Sequence, residues 1–359
     1  MSLKILTGAA GVLLACNISA APLPQITIQD TLVFPESLTA AADGTLYTGS
    51  WKGVVYRALP RQTTATAWIT PSTGNGLLSI LGVMADDRRG VLWVCSVPAP
   101  NRDPPAPGTT ALMAFDLKTG AQKLNLPFPG PAGVCNDITL AKDGAAYISD
   151  TPNGRIFRVR PRSNELELFA EDPQFKGIDG IVFSGDGTLY INSVTTNKLW
   201  RIGIGPNGKM STVTELTPSQ PLQGADGFRL IAANRFLLAE NAAGNIDEVD
   251  IEGSQAKVAV LKAGLKTPTS AIRVKNTIYA VERKFEYVRN PALKGQDPGG
   301  FTVLALPLPS PAMPYSGSLI RRTGVPTETS ANKAATSSGY ISIQPLVLSM
   351  PTDTGLFVP

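Results

Sequence analysis

Short apolar stretches recur along this chain in pairs, one leading into a tight turn and the next leading out of it to a polar residue. The pentapeptide DGTLY stands at 43–47 and again at 186–190. RRGVLW at 88–93, KDGAAY at 142–147, AANRFLL at 232–238 and KNTIY at 275–279 share its frame. Two apolar runs about such a turn predict a β-hairpin in each frame. Marking the glycine slot gives Gly44, Gly90, Gly144, Gly187, Asn234 and Asn276, with gaps of 46, 54, 43, 47 and 42. A period in the forties with two or more strands per unit predicts blades repeated about an axis. The expected fold class is therefore all-β, a six-bladed β-propeller over 26–309. ITIQDTLVF at 26–34 alternates like a strand and would close the ring by joining the last blade, which ends in FTVLALPL at 301–308. The longest gap holds VPAPNRDPPAPG at 97–108, a stiff, proline-dense stretch expected as a solvated insertion rather than a lid.

The two ends break the pattern. Lys4, the apolar run ILTGAAGVLLA at 5–15 and small residues around Ser19–Ala21 predict a signal peptide over 1–21. The run is too short to span a membrane. Leu13-Leu14-Ala15-Cys16 also looks like a lipobox, which would anchor the chain by a lipid on Cys16; cleavage after Ala20 is the other reading. Either way the expected mature chain is exported, secreted or periplasmic. From 310 to 359 the chain is rich in Ser, Thr and Pro, and is expected as a partly disordered tail with one strand around YISIQPLVL.

Composition narrows the chemistry. There is no histidine, which removes Ser-His-Asp and Cys-His catalysis and His-ligated zinc. Acid–base or metal chemistry must then run on carboxylates, amides, hydroxyls, Lys or Tyr, and oxygen ligands favour hard cations. The net charge of +4 comes from scattered residues, so nucleic acid is not an expected partner. A monomer acting on a small molecule is expected. Cys95 and Cys135 either pair in an oxidising compartment or stay as buried thiols.

The turn register also serves as a ruler. Eight residues before each slot, where the entering strand should begin at one mouth of the channel, stand Glu36, Gly82, Asn136, Asp179, Asp226 and Pro268. Four of these carry oxygen ligands, three of them carboxylates, among apolar strand positions. Carboxylates converging with no visible basic partner would repel one another, and a divalent cation resolves that. Six residues after each slot stand Ser50, Ser96, Asp150, Ser193, Glu240 and Glu282, which either contact the site or meet solvent at strand ends. Arg229, Arg273, Arg283 and Lys284 have no positional argument and are left unassigned.

At these residues the sequence resembles the calcium-dependent propeller hydrolases of the SMP-30/gluconolactonase/LRE-like (regucalcin-type) family, related to the diisopropylfluorophosphatases. CNDITLAKDGAAYISDTPNGRIFRV at 135–159, DGIVFSGDGTLYINS at 179–193 and GADGFRLIAANRFLLAENAAGNIDEVDI at 224–251 look like successive blades of that family, and PES at 35–37 stands where it carries a metal-binding glutamate. The resemblance implies a metal site of Glu36, Asn136, Asp179 and Asp226, holding Ca2+ or another divalent cation such as Zn2+, Mn2+ or Mg2+. It implies Asp226 as catalytic base or nucleophile in lactone, ester or phosphoester hydrolysis. Asp179 departs from the asparagine usual there, adding a negative charge and coupling the titration of the carboxylates. Val134 stands where the sugar lactonases place a clamping arginine, which implies a less polar pocket. A non-catalytic, calcium-pinned propeller is the alternative. Strictosidine synthase-like propellers share the architecture without this metal set.

Overall fold

The computed structural model describes residues 23–99, 106–130, 133–293 and 295–308. The expected signal segment, Cys16 and the tail lie outside them, and the 97–108 loop is described only at its two feet. The chain divides after Leu308, and the part up to that point is described below.

Among the described residues the period-two apolar runs are realised as 24 strands. The first group is β2 (Pro35–Ala40), β3 (Leu46–Ser50), β4 (Val55–Ala58) and β5 (Thr64–Ile69); the second is β6 (Ser79–Asp86), β7 (Val91–Val97), β8 (Ala111–Asp116) and β9 (Gln122–Pro127). The third is β10 (Cys135–Leu140), β11 (Ala146–Asp150), β12 (Arg155–Val159) and β13 (Glu167–Glu171). The fourth is β14 (Ile178–Phe183), β15 (Leu189–Ser193), β16 (Leu199–Ile204) and β17 (Met210–Pro218); the fifth is β18 (Ala225–Ala232), β19 (Arg235–Glu240), β20 (Asn245–Glu252) and β21 (Gln255–Lys262). The last is β22 (Pro268–Val274), β23 (Thr277–Glu282), β24 (Phe301–Pro307) and, from the other end of the chain, β1 (Ile26–Ile28). The strand expected over 26–34 is thus confined to three residues, and it pairs antiparallel with β24. Within each group neighbours run antiparallel; short parallel bridges, β1 to β5 and β17 to β21, merge the groups into two eight-stranded and two four-stranded sheets.

The first strands β2, β6, β10, β14, β18 and β22 pack side by side in that order, and β22 returns to β2. Between each consecutive pair of groups lies one apolar wedge. Leu92 and Val94 face back toward Ile80 and Val55, whereas Trp93 and Cys95 face forward toward Ile138 and Phe157. Consecutive strand residues therefore feed alternate wedges, which is why the middle strands are buried on both faces. Cys95 on β7 and Cys135 on β10 form a disulfide across one of these wedges. Among the described residues, no helix is long and apolar enough to cross a membrane.

Candidate functional site

A bulge in each first strand builds the site. Pairing with the second strand shifts between Pro35 and Leu38, Ile80 and Val83, Cys135 and Ile138, Ile178 and Ile181, Ala225 and Phe228, and Pro268 and Ser270. The residues left unpaired there are re-aimed away from the ladder. They are Glu36-Ser37, Leu81-Gly82, Asn136-Asp137, Asp179-Gly180, Asp226-Gly227 and Thr269. The second slot often needs glycine because the next strand runs against it: a β-carbon on Gly82 would collide with the Asn136 carbonyl oxygen, and one on Gly227 with that of Thr269.

This geometry corrects the ruler at two blades. The residues equivalent to Glu36 are Leu81 and Thr269, not Gly82 and Pro268. The cause is the length of turn and ladder together: Ala40 to Leu46 spans a five-residue turn, Asp86 to Val91 a four-residue turn and Val274 to Thr277 a two-residue turn, while the two-residue turn from Ala232 to Arg235 is offset by a second bulge between Leu230 and Ala232. Aligning on the close-packed glycine instead of the turn would have found Leu81. The six residues after the slots pair with the strand starts in one register, but they bond local loop backbone. Ser96 Oγ accepts from Leu78 N, Asp150 Oδ1 from Val134 N and Glu282 Oε1 from Lys266 N, and none of the six lines the pocket.

Glu36, Asn136, Asp179 and Asp226 do meet. With Ser37, Asp137, Gly227, Arg229, Thr269 and Ser270 they line one polar pocket, whose free space is about that of a single water or cation. The bulges are pinned by small polar side chains from neighbouring strands. Thr269 Oγ1 donates to Glu36 O at 2.6 Å, Ser149 Oγ to Asp179 O at 2.7 Å and Asn192 Nδ2 to Asp226 O at 2.7 Å. Asn136 Nδ2 donates to Asp179 Oδ2 at 2.9 Å and to Thr151 Oγ1 at 2.8 Å, while Asn241 Nδ2 holds Asp226 Oδ2 at 2.9 Å.

Three residues to which the sequence assigns no role, Asp137, Arg229 and Arg283, belong to this site. Asp137, beside Asn136 in the same bulge, takes Arg229 in a two-pronged ion pair, with Nη2 2.6 Å from Oδ1. Asp137 also accepts from Ile138 N at 2.8 Å and Ile181 N at 3.2 Å, so one buried pair ties β10, β14 and β18 together. Arg283 Nη1 lies 3.7 Å from Glu36 Oε1. The expectation of carboxylates without basic partners is therefore wrong: the partners come from positions off the repeat register. Val134 packs on the wedge between the second and third groups and does not line the pocket, whose side chains are all polar. The pocket's positive charge comes instead from Arg229 on β18 of the fifth group and from Arg283, just past β23 of the sixth.

Burial dominates the electrostatics. It pushes the Glu36 carboxyl up to about 8, Arg283 opposing and Asp226 and Asp137 adding to the rise. Asp226 is pushed up to about 6, again by burial first, with Asn241 and Arg283 opposing. Asp179 is raised well above its ordinary range by burial and then by the charges of Asp226, Glu36 and Asp137. Four acidic and two basic side chains (Glu36, Asp137, Asp179 and Asp226 against Arg229 and Arg283) leave the ionised pocket two charges negative. Carboxylate oxygens and one amide oxygen are hard donors that fit a divalent cation. Among the described residues, however, no three acidic or Cys side chains are drawn into a coordination cluster; Asn136 bonds Asp179 and Asn241 bonds Asp226 instead.

A family model described as strictosidine synthase-like, N-terminal, matches residues 23–58, the segment that carries Glu36. No curated protein matches the sequence. Among solved structures, a gluconolactonase from Xanthomonas campestris aligns with TM-score 0.59 and 15% identity, over 81% of this chain and 99% of its own. A calcium-binding regucalcin from Agrobacterium tumefaciens gives 0.58 and 16%, over 79% and 93%. A virginiamycin B lyase from Staphylococcus aureus gives 0.53 and 17%, over 76% and 80%. The chain thus shares its fold with the gluconolactonase and regucalcin propellers, and with a lyase built on the same architecture.

Proposed function

We propose that the chain is a six-bladed β-propeller hydrolase, exported as a monomer, that opens a lactone or a related ester or phosphoester of a small molecule in this pocket. The observation that carries the reading is the convergence of Glu36, Asn136, Asp179 and Asp226 around a space the size of one ion at one mouth of the ring. Those four would hold Ca2+, or Zn2+, Mn2+ or Mg2+ in its place, and the bound cation would supply Lewis-acid polarisation of the scissile carbonyl. Asp226 acts as the base. Its carboxyl is held in orientation by Asn241 and pushed toward the neutral range, where a base works well. Water adds to the carbonyl carbon and gives Asp226 a proton; the acyl C–O bond then breaks, and the ring oxygen takes that proton to leave a hydroxy acid. In the nucleophile variant of this role, the carboxylate attacks directly and water releases it. The Cys95–Cys135 disulfide supports export to an oxidising compartment.

A second reading, a non-catalytic propeller binding a ligand or partner with calcium as a pin, is favoured by the protein's own partners on each pocket carboxylate. Metal analysis of the purified protein, with a lactone and phosphoester panel run before and after chelation, separates the two. Hydrolysis lost on chelation and restored by one cation is the expected result. Activity that survives complete chelation overturns the metal role, and tightly held calcium without any hydrolysis supports the pin.

A further inference from the structure

The connection from β23 to β24 leaves the sheet beside Pro268, the partner of Glu282, and so emerges at the pocket end of the ring. It carries a short helix, α1 (Glu286–Arg289), and brings two arginines to the rim. Arg283 lies over the ring of Phe285 at 3.8 Å and over that of Trp51 at 5.3 Å, and Arg289 lies over the same Phe285 at 4.6 Å. Trp51, which follows Ser50 at the pocket end of β3, packs edge-on against Phe285. An aromatic platform thus fixes both guanidinium planes.

Neither guanidinium is satisfied there. Arg283 touches Glu36 at 3.7 Å, beyond hydrogen-bond reach, and its buried Nε has no partner. Arg289 is exposed and makes no ion pair or side-chain hydrogen bond among the described residues. Both stand close to the chemistry. Arg289 shares the Phe285 ring with Arg283, and Arg283 lies 3.7 Å from Glu36. Two fixed cations with empty donors, above a pocket that would hold a cation of its own, are arranged for an anionic group on a ligand.

We propose that Arg289 and Arg283 form an anion clamp at the rim, so that the preferred substrate is a lactone or ester carrying a carboxylate apart from the bond that breaks. This deepens the hydrolase reading above and rests on it. A carboxylate presents two coplanar acceptors to a guanidinium fork. As a monoanion it also meets less repulsion from Glu36 and Asp226 than a phosphate dianion would.

The test compares γ-butyrolactone with its γ-carboxylate under the same ionic strength, in the wild type, Arg289→Gln and Arg289→Lys. The wild type should favour the carboxylate by about tenfold to a hundredfold in kcat/KM, mainly through KM, as expected for charge-assisted hydrogen bonds. Arg289→Gln should abolish that ratio and Arg289→Lys should restore part of it. A wild type without the preference, or a ratio untouched in both Arg289→Gln and Arg283→Gln, overturns the clamp. Calorimetric titration with glutarate keeps the two proposals separable. If neither lactone is hydrolysed the hydrolase reading fails, yet glutarate binding lost in Arg289→Gln still upholds the clamp, and no glutarate binding sinks it. Inorganic phosphate binding more tightly than glutarate would overturn the choice of a carboxylate.

Discussion

The two ends of the β14–β15 hairpin each carry an aspartate, and they behave oppositely. Asp186, in the DGTLY turn, is exposed; hydrogen bonds from the Ser184 hydroxyl and Thr188 hold its carboxyl below the usual range. Asp179, in the bulge at the other end, is buried beside Asp226, Glu36 and Asp137 and is pushed far up. One residue type serves as a turn staple at one end and as a poised, mutually repelling carboxyl at the other. Identity fixes neither role; solvent access and neighbouring charge do.

The sharpest way to break this contrast is to remove charge at the pocket end. Asp226→Asn should keep the fold and reduce lactone turnover by about 10²- to 10⁴-fold, as loss of a positioned base does. A variant hydrolysing at the wild-type rate ends the assignment. Arg229→Met leaves Asp137 buried and unpaired and should cost about 3–5 kcal/mol in urea unfolding, whereas Arg229→Met with Asp137→Leu should recover most of it.

The pH dependence differs in sign between the two ends. Glu36 and Asp226 keep protons in the folded chain that the unfolded chain releases near pH 4, so the folded state binds more protons between there and about 8. Stability of the metal-free protein should therefore be highest at low pH and fall as pH rises through about 6 and then about 8. Saturating calcium should flatten that fall. Melting temperatures measured from pH 4.5 to 8.5 with and without calcium check this, and equal slopes would count against ion binding at these carboxyls. Asp186 contributes in the opposite sense, its stabilisation being present above its unfolded pKa and lost as pH drops. Because it is exposed, Asp186→Ala should cost only about 0.5–1 kcal/mol in the same unfolding assay, with no change in turnover.

Much of the site was legible because the repeat keeps register. In the third, fourth and fifth groups a constant count from turn to bulge reaches Asn136, Asp179 and Asp226, and in the first it reaches Glu36. The count failed where a shorter turn is not offset by a second bulge, before Val91 and Thr277, so Gly82 and Pro268 displaced Leu81 and Thr269; before Arg235 the bulge at Ile231 restores it. Arg283, which the sequence leaves unassigned, and Arg289 lie in an irregular connection that has no register to count along. Asp137 and Arg229 have no role assigned from sequence for another reason. Each sits in a strand that reads as apolar, and only their pairing across 92 residues makes either affordable in a buried place.

By itself, the sequence determined the local order: hairpins at a regular period, the residues that begin each first strand, and a chemistry without histidine. These follow from contacts a few residues apart, where alternation and turn chemistry act directly. The tertiary structure alone decided which of those residues share a pocket, which carboxyls are pushed up by burial, and which arginines stand over them. Those properties depend on the distance between charges and on the exclusion of water, and both are set by strands far apart in the chain that ring closure brings side by side.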